Sequence, residues 1–422
     1  MKKIILWSIV SLPVVGLAIG GYLWFSRPQV IQLSDGTKLT LLGVEYGTHH
    51  KYPTTKVKGA HRNASSFDTA EKSVVVWILQ EHKGNQWPNF QTLVYDRAET
   101  ACVGNWSGNN EQIKPGVEIL GLELRAFPRR DSKFILRFQT WGSGGQKISK
   151  EQFVVSNPAR SSAPQWTAPA PPMTQSDGDL DVTLTRLVSG VPGFNGNRTS
   201  KDASTKGVLA AFHIEQGGTV VTNWHPVQIT SSDATGNHIE NNSTRTGYED
   251  NGDPNITYQW GLWPAEEAWK LKVEMSRMSG FADDELFTVT DLPIHDGSRD
   301  ELWSYNGRRK TNSAFAEATL NGTHLLIYPA VQYANQGFND GQKELGFRIT
   351  TDPDSSTNGY RLTLLKVTDE KGRGFQNSGS SWGGGNYSFQ FRNLHNPQTL
   401  NITLALHKSR FVEFTAKPSK QP

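Results

Sequence analysis

The chain has 422 residues and carries 43 Lys and Arg against 40 Asp and Glu. This near balance argues against a dedicated nucleic-acid surface and against acidic disorder, because each of these needs a large excess of one charge. Cys102 is the only cysteine, so no disulfide can form within one chain.

An apolar run opens the chain, from Ile4 to Phe25, and it contains no charged residue. A helix needs about 20 apolar residues to cross the hydrocarbon core of a bilayer, and it pairs all of its backbone groups within the segment. We therefore expect residues 4–25 to form a transmembrane signal anchor, with the lipid bilayer as its partner.

The charges around this run predict its orientation. Lys2 and Lys3 precede it and Arg27 follows it, so the amino end has the greater positive charge once the α-amino group is counted. The positive-inside rule then makes residues 1–3 a cytoplasmic stub and exports the bulk of a single-pass protein to the periplasm or the exterior. Two alternatives stay open: a signal peptide cleaved near Ala18-Ile19-Gly20, and a buried helix of a soluble protein.

The rest of the chain repeats one plan three times, with copies spaced by the length of a domain. The copies open with alternating strands at Thr37 to Val44, Leu180 to Leu187 and Thr323 to Tyr328. Each continues with a second strand, an Asp followed by a polar turn, and a closing pair of strands. Alternation puts one face of each strand inward. The predicted β-sandwich modules are residues 29–158, 178–297 and 315–418.

Two connections separate these modules. Residues 159–177 are rich in Pro and Ala, a composition that favours an extended, semi-rigid linker. Residues 298–314 form a polar junction without that Pro content, which favours direct packing of the second module against the third.

The fold class that follows is all-β, with tandem antiparallel sandwiches behind one N-terminal transmembrane helix. The strand rhythm, together with an Asp-x-x-Gly turn at Asp233 and at Asp369, resembles the Ig-like β-sandwich repeats of bacterial envelope proteins. Asp96 stands at the matching place in the first module but lacks the Gly. Because Ig-like domains carry many functions, the resemblance implies architecture and location rather than an activity.

Possible metal ligands occur in two places. His49, His50, His61 and Asp68 are close in sequence, but neighbouring side chains of a strand point to opposite faces, so a solvated loop is the favoured interpretation. The acidic stretch that begins at Asp250 has a Gly at position 12, where an EF-hand needs a Glu. We therefore expect no metal and no cofactor.

Tryptophan supplies the one candidate ligand platform. Four of the 13 tryptophans fall in the second module: Trp224, Trp260, Trp263 and Trp269. Exposed rings of this kind can stack on sugars, whereas buried ones fill a sandwich core, and the second interpretation is favoured.

No sequence motif of a nucleophile elbow, a zinc protease or a phosphate loop is present. The sequence therefore favours a non-enzymatic envelope protein whose modules bind, display or space a partner, either another envelope protein or a glycan. The alternatives are a carbohydrate-binding sandwich protein and a glycan-processing enzyme, which would need two carboxylates facing across a groove.

Overall fold

The computed structural model describes most of the chain beyond the N-terminal segment. The described residues are 29–58, 65–82, 90–98, 101–105, 109–142, 145–192, 206–241, 244–258, 261–263, 265–302, 313–334, 343–355, 357–392 and 396–420. The expected anchor, residues 4–25, lies outside them. Within the described ranges, no helix is long and apolar enough to cross a membrane.

The described chain is built from strands, with three 3-10 turns at Thr54–Lys56, Asp283–Glu285 and Arg299–Leu302 and no α-helix. Nearly all neighbouring strands are antiparallel. The all-β prediction is therefore confirmed. Short alternating runs bounded by Gly- and Asn-rich turns favour this outcome, because such turns reverse the chain every few residues.

Module 1 consists of two antiparallel sheets. Its strands are β1 (Val30–Gln32), β2 (Lys38–Lys51), β3 (Ser66–Glu81), β4 (Phe90–Tyr95), β5 (Ala101–Asn105), β6 (Asn109–Lys114), β7 (Val117–Leu124), β8 (Lys133–Gly142), β9 (Gly145–Ile148) and β10 (Phe153–Ser156). One sheet has the order β1-β2-β3-β7-β6 and the other has the order β10-β8-β4-β5, with β9 beside β8.

Module 2 uses the next nine strands together with the last two of the chain. Its strands are β11 (Met173–Asp177), β12 (Leu180–Pro192), β13 (Lys206–Gln216), β14 (Thr219–Val220), β15 (Trp224–Asp233), β16 (His238–Asn241), β17 (Thr244–Tyr248), β18 (Pro254–Tyr258), β19 (Trp269–Arg277), β29 (Arg410–Ala416) and β30 (Ser419–Lys420). The sheet orders are β11-β12-β13-β18-β17 and β16-β15-β19-β29; β14 joins β13, and β30 joins β12 in parallel.

Module 3 lies between β19 and β29 in the sequence. Its strands are β20 (Leu286–Asp296), β21 (Ala316–Leu320), β22 (Thr323–Ile327), β23 (Ala330–Ala334), β24 (Lys343–Asp352), β25 (Tyr360–Asp369), β26 (Asn377–Gly383), β27 (Asn386–Arg392) and β28 (Thr399–Lys408). One side has the order β21-β22-β24-β27-β26, and the other has β25-β28-β20.

The three modules share one strand plan. The orders β1-β2-β3-β7-β6, β11-β12-β13-β18-β17 and β21-β22-β24-β27-β26 correspond strand for strand. On the facing sheets, β4 and β8 of module 1 correspond to β15 and β19 of module 2 and to β25 and β28 of module 3. In each module a final strand pairs antiparallel with the last of these: β10 with β8, β29 with β19, and β20 with β28.

Modules 2 and 3 have exchanged this final strand. In module 1 the final strand β10 follows β8 in the sequence. By the same rule β20, which follows β19, should complete module 2, and β29 should complete module 3. Instead β20 pairs with β28, and β29 pairs with β19 in a seven-residue register from Trp269↔Ala416 to Met275↔Arg410.

The buried side chains follow the exchange. One apolar cluster runs through modules 1 and 2 and includes Val412 and Phe414 of β29. A second cluster fills module 3 and includes Val289 and Leu292 of β20. Each exchanged strand therefore contributes core side chains to the module that it joins, which ties both modules together energetically as well as covalently.

A bend in β20 lets it serve both sheets of module 3. Its register against β28 shifts between Val289 and Leu292, where Asp291 has φ +56°, and beyond the bend Ile294 to Asp296 pair in parallel with β23. A bulge turns a strand out of its sheet, so one strand can close the edge between two facing sheets.

This pairing differs from the boundaries that the sequence suggested. Residues 286–296, which we expected in the second module, lie in module 3, and residues 410–416, which we expected in the third, lie in module 2. Alternation reveals that a segment is a strand, but it carries no information about which edge that strand joins.

Candidate functional site

Modules 1 and 2 meet at a joint, here called joint 1–2, whose centre is an ion pair. Arg130, in the loop between β7 and β8, donates from Nε to Glu266 Oε1 at 2.6 Å and from a terminal nitrogen to Oε2 at 2.9 Å. Glu266 is buried, with 7% of its side chain exposed. The hydrogen bond to Glu266 raises the pKa of Arg130. A two-point contact of this kind fixes the orientation as well as the distance of the two groups.

The Asp233 turn supplies the second half of joint 1–2. The buried Asp233 carboxylate accepts hydrogen bonds from the backbone of Thr235 and Asn237 and from the Asn237 amide. The amide oxygen of Asn237 in turn accepts from Phe127 N at 3.1 Å and from Arg129 Nε at 2.9 Å. The turn that the sequence identified is therefore a socket for module 1.

The same turn recurs in module 3. Asp369 accepts from the backbone nitrogens of Lys371 and Arg373, and Gly372 has φ +78°, as Gly236 has +88° in module 2. Asn is replaced by Arg373, whose guanidinium pairs with the Asp369 carboxylate at 2.6 Å. The module 3 turn is thus closed by its own ion pair, whereas the module 2 turn leaves an amide oxygen for module 1.

The linker takes part in joint 1–2 as a fixed element. Arg130 donates to the Ala163 carbonyl at 2.6 Å, and Ser161 N donates to the Arg129 carbonyl at 2.7 Å. Farther along, the Pro169 carbonyl accepts from Lys417 N at 3.0 Å, just beyond β29. The Pro- and Ala-rich segment is therefore held against module 1 at Ser161 and Ala163 and against module 2 at Pro169.

Modules 2 and 3 meet at joint 2–3, where the exchanged strands cross. Only Ser409 separates β28 of module 3 from β29 of module 2. Glu274 of β19 accepts from Arg361 of module 3 at 3.1 Å and from Ser409 Oγ at 2.6 Å. Arg361 and Glu274 expose 11% and 13% of their side chains, so water screens this pair weakly.

A buried histidine stands at the same crossing. His407, the residue before the last of β28, has no solvent exposure and contacts both modules: Ser276 of β19 at 3.1 Å and Thr363 of β25 at 3.3 Å. Beside it, Arg277 of β19 pairs with Glu285 and lies over the Phe281 ring. Joint 2–3 thus holds a fully buried imidazole beside charged side chains that are 11–22% exposed.

The two joints lie at opposite ends of β19. Glu266 of joint 1–2 lies three residues before Trp269, where β19 begins. Joint 2–3 contains Arg277, where β19 ends. Nine residues of strand span about 30 Å. The three modules therefore stand end to end, with module 2 in the middle.

The tryptophan platform is not open to solvent where the structure describes it. Trp224, Trp263 and Trp269 are 4%, 3% and 0% exposed and belong to the core of modules 1 and 2. Trp260 lies outside the described residues. Burial removes the ring faces on which a sugar would stack, so these three residues act as core, which is the interpretation that the sequence favoured.

The histidines of the first module are likewise held apart. His50 is buried and bonds Glu45 at 3.0 Å, whereas His49 faces solvent beside Asp68 at 2.7 Å. His61 lies outside the described residues. Within the described ranges, no group of three or more His, Cys, Asp or Glu side chains could hold a metal ion.

The acidic stretch at Asp250 is a hairpin turn between β17 and β18. Glu249 N donates to the Asp253 carbonyl at 2.8 Å, and Asn251 bonds the Asp253 carboxylate at 2.9 Å. The Asp253 carboxylate also accepts from His213, and this hydrogen bond raises the pKa of that histidine. Both carboxylate oxygens of Asp253 are therefore used, one by His213 and the other by Asn251.

Sequence reasoning missed the joint residues. Arg130 and Glu266 are 136 positions apart, and Arg361 and Glu274 are 87 apart, so no local pattern links them. The one usable signal was the Asp-x-x-Gly turn, which pointed to Asp233 and Asp369. No protein-family model matches this chain, and no curated protein matches it.

Proposed function

We propose that this chain is a non-enzymatic envelope protein, held in a membrane by residues 4–25, that works as a stiff spacer or display arm. The observation that supports this is the end-to-end order of three modules whose two joints are both fixed. Joint 1–2 combines the Arg130–Glu266 pair with the Asn237 socket, and joint 2–3 is crossed by two exchanged strands. A flexible string of modules would need neither.

The common strand plan supports Ig-like sandwich repeats as the architecture of the arm. Two facing antiparallel sheets with alternating core residues form each module. Such modules present loops at their ends while their sheets stay rigid. The partner that we propose for the arm is another envelope protein or a glycan.

The membrane part of the proposal is tested by fractionation. The full chain should stay in the membrane pellet after a carbonate wash, and in spheroplasts an added protease should digest the part beyond residue 28. A matched chain lacking residues 4–25 should remain in the cytoplasm and resist the protease. Recovery of the full chain in the soluble fraction, or its protection in spheroplasts, would refute the anchor.

The stiffness is tested with pairs of spin labels in the full chain, in a Cys102→Ser background. Lys72→Cys with Glu240→Cys spans joint 1–2, and Glu240→Cys with Thr319→Cys spans joint 2–3. Each pair should give one narrow distance peak. If a flexible connection of about 15 residues joined the modules, the distances between the labels would spread over about 20 Å. A distance distribution of that width would rule out a stiff arm.

A further inference from the structure

His407 is placed to sense protons at joint 2–3. Its ring is fully buried at the crossing from β28 to β29. The Nε2 atom lies 3.1 Å from Ser276 Oγ of module 2 and 3.3 Å from Thr363 Oγ1 of module 3, and Nδ1 lies 3.3 Å from the Lys408 carbonyl oxygen. One side chain therefore links both modules.

A neutral imidazole satisfies all of these partners. A carbonyl oxygen can only accept, so Nδ1 carries the proton and donates it to Lys408 O. The Nε2 lone pair is then free to accept from the Ser276 and Thr363 hydroxyls. A second proton, on Nε2, would make that nitrogen a donor, so both hydroxyls would have to accept, and it would place a full charge on a side chain with no solvent exposure.

The charged side chains around the His407 ring form ion pairs with one another and not with the ring. Arg277 of β19 pairs with Glu285, and Arg361 of β25 pairs with Glu274. His407 forms no ion pair with any described carboxylate. Protonation would therefore add a third positive charge to a set of two arginines and two glutamates, in a largely buried interface where interactions between charges are strong.

The pKa of His407 reflects this setting. Burial lowers it below the ordinary value, and the charges of Arg277 and Arg361 act in the same direction, while the Lys408 carbonyl and Glu285 oppose them. The shift supports the geometric argument, because it gives the opened joint, in which the ring meets water, the higher proton affinity.

We propose that joint 2–3 is an acid-sensitive hinge, which neutral His407 keeps closed and protonated His407 opens. The exchanged strands β20 and β29 keep the modules connected while their contacts at Ser276 and Thr363 separate, so the arm bends without unfolding. The hinge depends on contacts at the joint and not on the membrane anchor, so the two proposals can fail separately.

The direction of the pH dependence follows from linkage. At pH values above the ordinary histidine pKa of about 6.5, His407 is neutral in both the closed and the open joint, so pH does not change the ratio between them. Below that value the open joint binds the proton first, so the ratio of open to closed joint rises by up to about tenfold per pH unit until the folded pKa is reached.

Hydrogen exchange of the full chain in detergent, read by mass spectrometry at pH 7.5 and pH 5.0, tests this hinge. After correction for intrinsic rates, peptides that cover the crossing at Ser409, between β28 and β29, should exchange at least several-fold faster at pH 5.0, while β2 and β3 of module 1 stay unchanged. His407→Gln keeps an acceptor and a donor but cannot titrate, so in this variant the acceleration should vanish.

Two matched variants separate His407 from the other histidines. His324→Gln replaces an exposed histidine of module 3 and should behave as wild type. His225→Gln replaces a second histidine whose pKa burial lowers; His225 lies in β15 opposite Ser276, but it contacts Thr222 and Tyr248, which both belong to module 2. Acceleration that survives in His407→Gln and disappears in His225→Gln would overturn the proposal.

A measurement on the unaltered chain covers the case in which His407→Gln does not fold. Deuterium exchange at the imidazole C2 atom, followed by mass spectrometry from pH 4 to 9, gives the pKa of each histidine. His407 should titrate below the ordinary value. Titration at or above about 6.5 would refute the hinge, whatever the variant does.

Discussion

The two joints of this molecule reach stiffness by different routes. Joint 1–2 is a sequential connection: the chain leaves module 1, crosses a linker and enters module 2, and side chains then fix the angle through Arg130, Glu266 and Asn237. Joint 2–3 is a reciprocal connection, in which each module holds a strand that the order of the chain would assign to the other. Side-chain contacts can be lost one at a time, whereas an exchanged strand is lost only with part of a core.

The two interfaces also differ in how much structure each one holds together. At joint 1–2 the ion pair is the main polar contact, and breaking it should widen the range of angles between modules 1 and 2. At joint 2–3 the polar contacts of Glu274 and His407 set the angle, while β20 and β29 set the connection itself. The predictions below remove these elements in order of expected effect.

The largest effect is expected from ending the chain after Ser409, which removes β29 and β30. Module 2 would lose the buried side chains of Val412, Phe414 and Ala416 and a seven-residue strand pairing. Burial of a Val or Phe stabilises a fold by about 1.5–3 kcal/mol each, within a usual total of about 5–15 kcal/mol. We expect module 2 to lose its exchange protection, while module 3 keeps its own, as read by hydrogen exchange of each module.

A chain that ends after Pro418 is the control, since it retains β29 and the hydrogen bond from Lys417 N to the linker but lacks β30. It should protect module 2 nearly as the full chain does. If truncation after Ser409 instead unfolds module 3 and spares module 2, the last strand belongs to module 3 and the exchange is refuted.

A smaller version of the same comparison uses two core substitutions. Phe414→Ala should destabilise module 2 by about 3–5 kcal/mol, and Leu292→Ala should destabilise module 3 by about 2–5 kcal/mol, because both side chains are fully buried. The positions in sequence suggest the reverse assignment, since Leu292 directly follows module 2 and Phe414 follows module 3.

Denaturant-dependent hydrogen exchange assigns each loss to a module. Equal losses in both modules from either substitution would show that they unfold together, which still agrees with exchanged strands but requires strong coupling at joint 2–3. A loss confined to the module that precedes each residue in sequence would contradict the pairing of β20 and β29.

The sequence predicted the strands far better than their partners. Apolar and polar residues alternate from Leu271 to Met275, a pattern that predicts one buried face, and Leu271, Val273 and Met275 are all fully buried. The same alternation around Phe414 is compatible with pairing in module 2 or in module 3, because the free edge of a sheet accepts any strand of suitable length and polarity. What selects β19 for β29 is the short passage through Ser409, a three-dimensional constraint with no local signature.

The joint residues were harder still to predict. Asp233 and Asp369 share a turn motif, and that motif predicted their common backbone geometry. It did not predict that Asn237 would bind module 1 while Arg373 would close its own turn, because this choice depends on the residue four positions after Asp and on what faces it. For the tryptophans, composition allowed either a surface platform or a core and favoured the core, and Trp224, Trp263 and Trp269 are buried.

The smallest effect is expected at joint 1–2, from Glu266→Gln. The substitution keeps the shape of the side chain but removes the charge that Arg130 contacts at two points. A fully buried pair costs about 3–5 kcal/mol to break; because 29% of the Arg130 side chain is exposed, water can partly replace the carboxylate, and we expect a loss of about 1–3 kcal/mol. The spin-label distance between modules 1 and 2 should broaden while the distance between modules 2 and 3 stays narrow.

Glu81→Gln gives the matched control for this charge removal. Glu81 pairs with Lys38 inside module 1, and both side chains are well exposed, at 38% and 47%. Exposed pairs of this kind contribute roughly 0–1 kcal/mol, so both distances should stay narrow. If Glu266→Gln also leaves both distances narrow, the Asn237 socket and the pinned linker fix joint 1–2 without the ion pair. The two joints would then be alike in depending on backbone contacts more than on charge.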